Sequence, residues 1–209
     1  MRQVKGERLK VKILLGFFLL TFSLSYFFTI VYSQEYSGEI GEVKGTVEIL
    51  KDGETEWVPV VEEMPVQLKE RIKTSKESSC NMELDDGSIV YVGENTETSV
   101  EVLDISDEKH ESKISLWFGK LIVNINKSKQ TKMSINTPTS ICAVRGTEFA
   151  VEATQEQTNV GVFDGQVGVK NIEDTEAEEI SVKPDEETTV LRGRRPLPPY
   201  LSNFLDEGD

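Results

Sequence analysis

The 209 residues hold one histidine, His110, and two cysteines, Cys80 and Cys142. Neither cysteine lies in a C-x-x-C pair, and no histidine cluster accompanies them, so the ligand sets of structural and catalytic zinc are missing. There is no G-x-S-x-G elbow, no H-E-x-x-H, no P-loop and no G-x-G-x-x-G. Asp85-Asp86-Gly87 lacks the alternating acids and distant Glu of an EF-hand loop, and it reads as a hairpin turn instead. The sequence therefore offers no catalytic residue, no cofactor-binding residue and no metal ligand. Plentiful carboxylates do not by themselves make a glycosidase pair.

Positive charge is also scarce. Lys and Arg total 23 against 37 Asp and Glu, a formal net charge of −14. Five of the basic residues (Arg2, Lys5, Arg8, Lys10, Lys12) crowd the first 33 positions with one acid, Glu7. The rest of the chain is more acidic still, and such a body repels nucleic-acid phosphates and anionic headgroups. Nucleic acid is not an expected partner.

Charge is absent altogether from residues 13–31, ILLGFFLLTFSLSYFFTIV. A basic flank, this apolar run, and Val31 and Ser33 at its end fit a secretory signal cleaved after Ser33. The run is equally long enough to stay as a membrane-spanning helix. Residues 1–33 are thus a signal peptide or an N-terminal anchor. The expectation is that they are absent from the mature protein. In both cases the positive flank stays inside and the body lies outside the cytoplasm. No cysteine follows the run, which excludes a lipid-modified N-terminal cysteine.

Helical periodicity is poor after residue 39, and strand-turn-strand patterns take its place. IGEVKGTVEIL, framed by Gly41 and Gly45, is followed by Asp52-Gly53 and TEWVPV. CNMEL is followed by Asp85-Asp86-Gly87 and SIVYV, ISLWF by Gly119 and KLIVNI, and VGVF by Asp164-Gly165 and QVGVKN. Asp-Gly between alternating runs is a strong hairpin signal, because both positions tolerate positive φ. A looser repeat opens at Ile72, Ile135 and Val182, which suggests stacked units in a solenoid, a roll or a sandwich. Trp57 and Trp117 sit in strand-like runs, where packing in the core is expected. Residues 104–113 are polar and charged and read as a loop. Three prolines within residues 196–199 forbid a central strand, so residues 192–209 read as an extended Pro-rich tail.

Three local features remain. His110, in the charged stretch, reads as a solvated residue. Asn126-Lys127-Ser128 fits a glycosylation acceptor. Cys80 and Cys142 alternate with apolar neighbours and read as inward-facing free thiols, although an exported chain could pair them. In CAVRGTEFAV, residues 142–151, an arginine and a glycine interrupt an apolar run. Gly146 permits a bend, and an arginine brought there needs carboxylate or carbonyl partners. Arg145 is expected to staple that bend; the alternative is an exposed contact with an anion or a partner.

AVRGTEFAV followed by TNVGVFDGQVGV resembles the signature of FecR-domain proteins. RIKTSKESSCNMELDDGSIVYVGENTETSVE and ISLWFGKLIV resemble the parts of that pattern lying upstream, so the likeness spans roughly residues 39–191. The resemblance implies an all-β, solenoid-like or roll-like extracytoplasmic domain without catalysis. Its motif positions here are Arg145, Gly146, Thr147, Phe149, Asp86, Gly87, Ser88, Gly119 and Gly165, with a structural role. The best-known members of the family are transmembrane regulators that sense an outer-membrane receptor and control a sigma factor. Only 12 residues precede the apolar run here, too few for a folded anti-sigma module. The expected function is a non-catalytic module of the cell envelope that binds a protein or polymer partner through exposed strand edges. The alternative is a membrane-anchored regulator of FecR type.

Overall fold

The computed structural model describes residues 36–106, 109–127, 132–174 and 178–202. The apolar run 13–31, the cleavage point after Ser33 and Ser128 lie outside the described residues. No helix among the described residues is long and apolar enough to cross a membrane.

The described chain is all strand and turn. The first strands are β1 (Tyr36–Lys44), β2 (Val47–Leu50), β3 (Val58–Pro59), β4 (Pro65–Gln67), β5 (Arg71–Thr74), β6 (Ser79–Leu84), β7 (Ile89–Val92) and β8 (Glu97–Ser106). A long β9 (Lys109–Asn124) follows, then β10 (Lys132–Asn136), β11 (Ser140–Arg145), β12 (Glu148–Ala153) and β13 (Gln157–Asp164). The last are β14 (Val167–Asn171), β15 (Ile180–Val182), β16 (Glu186–Leu191) and β17 (Tyr200–Leu201).

Pairing sorts them into two sheets that share β9. Sheet A runs β4-β1-β6-β7-β9-β12-β13-β16-β17, using residues 119–124 of β9. Sheet B runs β3-β2-β5-β8-β9-β10-β11-β14-β15, using residues 109–118 of β9. All pairs are antiparallel except β9 with β10. Both sheets direct alternate side chains into one core: Val47 and Ile49, Cys80, Met82 and Leu84, Val90 and Val92, Met133 and Ile135. Period-two burial of this kind is what places one face of each strand inside.

The long β9 shows how the two sheets are joined. Ile114 and Leu116 point inward from sheet B, whereas Leu121 and Val123 point inward from sheet A. The phase slips by one residue between them, at Gly119, where φ is +96°. ISLWF-Gly119-KLIVNI is therefore one bent strand and not the expected hairpin. The glycine is required because a Cβ there would lie 2.4 Å from the Cα of Thr96.

Other expectations are corrected in the same way. IGEVKGTVEIL breaks at Gly45 (φ +74°) into β1 of sheet A and β2 of sheet B. Asp164-Gly165 is likewise a crossover, since β13 pairs with β12 and β16 while β14 pairs with β11 and β15. In residues 104–113, where a loop is expected, Asp104, Ile105 and Ser106 pair with Glu111, His110 and Lys109 as an extension of the β8–β9 ladder. An arm with polar residues at most positions carries no inward-facing period, so nothing in the sequence marks it as strand. Asp52-Gly53 and Asp85-Asp86-Gly87 do turn between paired strands, β2–β3 and β6–β7.

In the Pro-rich tail, the Leu197 N–H donates to the Thr189 carbonyl at 2.9 Å and β17 pairs with β16. The tail thus covers the edge of β16. Cys80 and Cys142 are free and buried, and burial pushes both thiols up to about 12.

Candidate functional site

The family-motif positions converge on one column of turns at the end of the two sheets. In the β6–β7 turn, Gly87 (φ +81°) donates its N–H to the Leu84 carbonyl at 2.7 Å, and the Ser88 N–H donates to Asp86 Oδ1 at 2.8 Å. Asp86 and Ser88 are both fully buried. Asp86 Oδ2 has no hydrogen-bond partner among the described residues. The chain leaving β9 packs on this turn: the Asn126 N–H donates to Ser88 Oγ at 3.2 Å and Asn126 Nδ2 donates to the Asp86 carbonyl at 3.2 Å.

The β11–β12 turn comes next. The Ile125 N–H donates to the Thr147 carbonyl at 3.1 Å, and Gly146 (φ +59°) lies against Lys127. Thr147 is fully buried and donates its hydroxyl to the Gln166 carbonyl at 3.2 Å in the following turn. A Cβ on Gly165 would sit 2.9 Å from Thr147 Oγ1, so glycine lets the two turns touch. Lys127 pairs with Asp164 across the column, and that hydrogen bond and charge hold the Asp164 carboxyl below the usual carboxylate range. Phe149, fully buried, anchors β12 beneath. Arg145 ends β11, its backbone opposite Lys132; its side chain lies outside what the structure describes. Gly119 is the one motif position elsewhere, at the bend of β9.

A groove starts beside this column, on the outer face of sheet B. Register places Ser134, Ala143, Gly168 and Ser181 side by side on β10, β11, β14 and β15. Each is small, so the face is hollowed there into a groove of about 660 Å³ that Glu111, Lys132, Gln166 and Glu179 also line. The Glu179 side chain leans over Gly168, where any Cβ would collide with its carboxylate.

Further along the same face lie the two tryptophans. They are half-buried on the outside of the sheet and not in the core, as the sequence suggests. The Arg71 guanidinium stacks 4.8 Å from the Trp117 ring centre and 5.7 Å from that of Trp57, and it pairs with Glu97. The Lys73 ammonium lies 4.1 Å from the Trp57 ring and 3.0 Å from Glu48. These cations are spent on their own neighbours. Among the described residues no group of three or more His, Cys, Asp or Glu is placed to hold a metal ion.

Apart from Gly119, the motif residues meet in this column of turns, and their described side chains act on one another. The groove was not anticipated. Its signal is a small residue at the outward position of successive strands, and it becomes visible only once register is known.

No curated protein sequence matches the chain. Two crystal structures of a candidate anti-sigma factor from Parabacteroides distasonis, at 2.50 and 1.65 Å resolution, share the fold. They give TM-scores of 0.52 and 0.53 at 19% and 20% identity. The alignments cover 63% of this chain and 59% of each of those, so the chain spans less than two thirds of their length. Residues 70–168, from the residue before β5 to the second residue of β14, match the family described as FecR protein: this stretch of the chain is a FecR domain.

Proposed function

We propose that this chain is a non-catalytic module of the bacterial cell envelope, exported by residues 1–33, that binds a protein or polymer partner on the outer face of sheet B. One observation carries the reading. The polar motif side chains described in the turn column point at backbone groups of the turns themselves: Asp86 takes the Ser88 N–H within its own turn, and Thr147 donates to the Gln166 carbonyl of the next. They build the frame, and the groove over Ser134, Ala143 and Gly168 is the open surface that the frame presents. Its floor of small side chains accepts an extended chain at close range, and Lys132, Gln166 and Glu179 supply polar contacts at its walls.

The test is site-specific photo-crosslinking of the full chain in its own envelope. A photoreactive residue at Ser134 should capture a defined partner, and the same group at Glu54, in the exposed β2–β3 turn, should not. Equal labelling from both positions, or none from Ser134, sinks the proposal.

A second reading is a membrane-anchored regulator of FecR type. It is favoured by the uncharged run 13–31 behind a basic flank. Intact mass separates the two: the exported module lacks residues 1–33, and the regulator retains them.

A further inference from the structure

Each sheet ends in two terminal strands, and three of these four carry a proline device. β3 contains Pro59, β4 opens on Pro65, and β17 follows Pro198-Pro199. Proline on an edge blocks pairing with another chain. The exception is β15, whose nearest proline, Pro184, stands beyond Lys183 outside the strand, and which pairs with β14 through Val167–Val182, Gly168–Ser181 and Val169–Ile180. No strand among the described residues covers its other side. All three of its residues carry an N–H.

The sequence around this edge is complementary to itself. It reads Glu179-Ile180-Ser181-Val182-Lys183. Two copies set antiparallel about Ser181 place Ile180 opposite the partner's Val182 and Glu179 opposite the partner's Lys183. Val182 is fully buried and Ile180 packs against the core, so this pairing continues the apolar inner layer from one molecule into the next. Once the Glu179 side chain swings from over Gly168 to the open edge, the exposed ends bring opposite charges together, which favours a cross-strand pair. Other arrangements lose this match. Parallel pairing in register sets Glu179 against Glu179, and a slip of one residue turns the apolar pair to solvent.

We propose that β15 is the seam of a homodimer, in which two copies pair antiparallel about Ser181 and join their sheets B edge to edge. The interface is isologous, as a two-fold requires. It also doubles the groove. The row Ser134, Ala143, Gly168, Ser181 continues directly into the partner's Ser181 and Gly168, so a long ligand crosses the seam. That use of the groove rests on the binding-module reading; the dimer does not, and it is measured with no ligand present.

The test uses the chain as it is made in its own cell envelope. Both native cysteines are buried, so Ser181→Cys introduces the reactive thiol, and the two-fold places it against its own copy. Mild oxidation should convert most of the Ser181→Cys chain to a covalent dimer, while Glu54→Cys gives only background. Lys183→Glu added to Ser181→Cys should cut the yield at least tenfold, and the further change Glu179→Lys should restore it. Sedimentation of the unsubstituted chain purified from that envelope should give a dimer mass, and Lys183→Glu a monomer mass. A Ser181→Cys chain that stays monomeric, a yield equal to that of Glu54→Cys, or a mixed disulfide with a different protein overturns the proposal. So does a Lys183→Glu chain that cross-links as well as its parent.

Discussion

Asn126 donates its side-chain amide to the Asp86 carbonyl, 40 residues earlier in the chain, at 3.2 Å. The same amide fills the space beside Gly87, where a Cβ would come within 2.6 Å of it. Asn126 therefore ties the end of β9 to the β6–β7 turn. Asn126→Ala leaves the buried carbonyl of Asp86 without this donor and should cost about 1–3 kcal/mol. Thermal or urea unfolding measures it. The same geometry bears on the glycosylation pattern at residues 126–128, because Nδ2 is already engaged in the fold. Mass analysis of chain made in a glycosylating host should find Asn126 unmodified.

How far the sequence led is clearest at the turns. Asp-Gly and Gly-Thr pairs mark places where φ must turn positive or chains must approach, and Gly87, Gly146 and Gly165 all have positive φ. What local pattern cannot carry is which sheet a strand joins after its turn. Asp52-Gly53 returns the chain to its own sheet, whereas Asp164-Gly165 sends it to the other one. The difference lies in long-range pairing, which two residues do not encode. Trp57 and Trp117 illustrate the same limit from another side. Their apolar area argues for the core, yet each supplies a ring face to Arg71 on the outer surface. Cation–π contact lets a large aromatic remain outside at a favourable energy.

Gly119 and Gly53 make a matched test of the bend in β9. Both have positive φ, +96° and +78°. A Cβ at Gly53 meets nothing within 4 Å, whereas at Gly119 it strikes the Thr96 backbone. Gly53→Ala should cost about 1–2 kcal/mol, the left-handed penalty alone. Gly119→Ala adds overpacking against a backbone that cannot rotate away, roughly 1–3 kcal/mol more. Equal unfolding midpoints for the two variants would show that the bend relaxes without the glycine.

Glu70 sets a pH dependence. It is 3% exposed, accepts the Gln67 N–H at 2.8 Å, and burial raises its pKa above the ordinary carboxylate value. Below the unfolded pKa, about 4.3, both states are protonated and the site contributes nothing. Between the unfolded and folded values the native state holds the extra proton, so stability falls as pH rises through this window. Above it the buried charge costs stability. Glu70→Gln keeps an acceptor oxygen and removes the charge. It should raise the melting temperature at pH 7 and leave it unchanged near pH 3.5. A variant that melts lower at pH 7 would mean that the charge is used.

Four buried hydroxyls and a carbonyl join the β10–β11 turn of sheet B to β13 and β16 of sheet A. Thr158 Oγ1 lies 2.7 Å from both Thr137 Oγ1 and Thr139 Oγ1, and Thr139 Oγ1 donates to the Val190 carbonyl at 3.1 Å. The Ser140 N–H donates to Thr137 Oγ1 at 2.9 Å, and the Ser140 hydroxyl lies 3.0 Å from it. Each hydroxyl has one proton. Thr139 gives its proton to Val190, so it accepts from Thr158, and Thr158 in turn accepts from Thr137. The Ser140 carbonyl, 3.2 Å from Thr137 Oγ1, competes with Thr158 for the Thr137 proton. Thr158→Val keeps the shape and removes the middle link, leaving Thr137 without an acceptor in Thr158 and Thr139 without a donor. The cost should be about 1–3 kcal/mol. Thr139→Val should cost a similar amount through the Val190 carbonyl. Because the two share a bond, the double variant should lose less than the sum, and a double-mutant cycle reads the coupling directly. Strict additivity, or an unchanged midpoint for Thr158→Val, would mean that the hydroxyls pack without acting as a network.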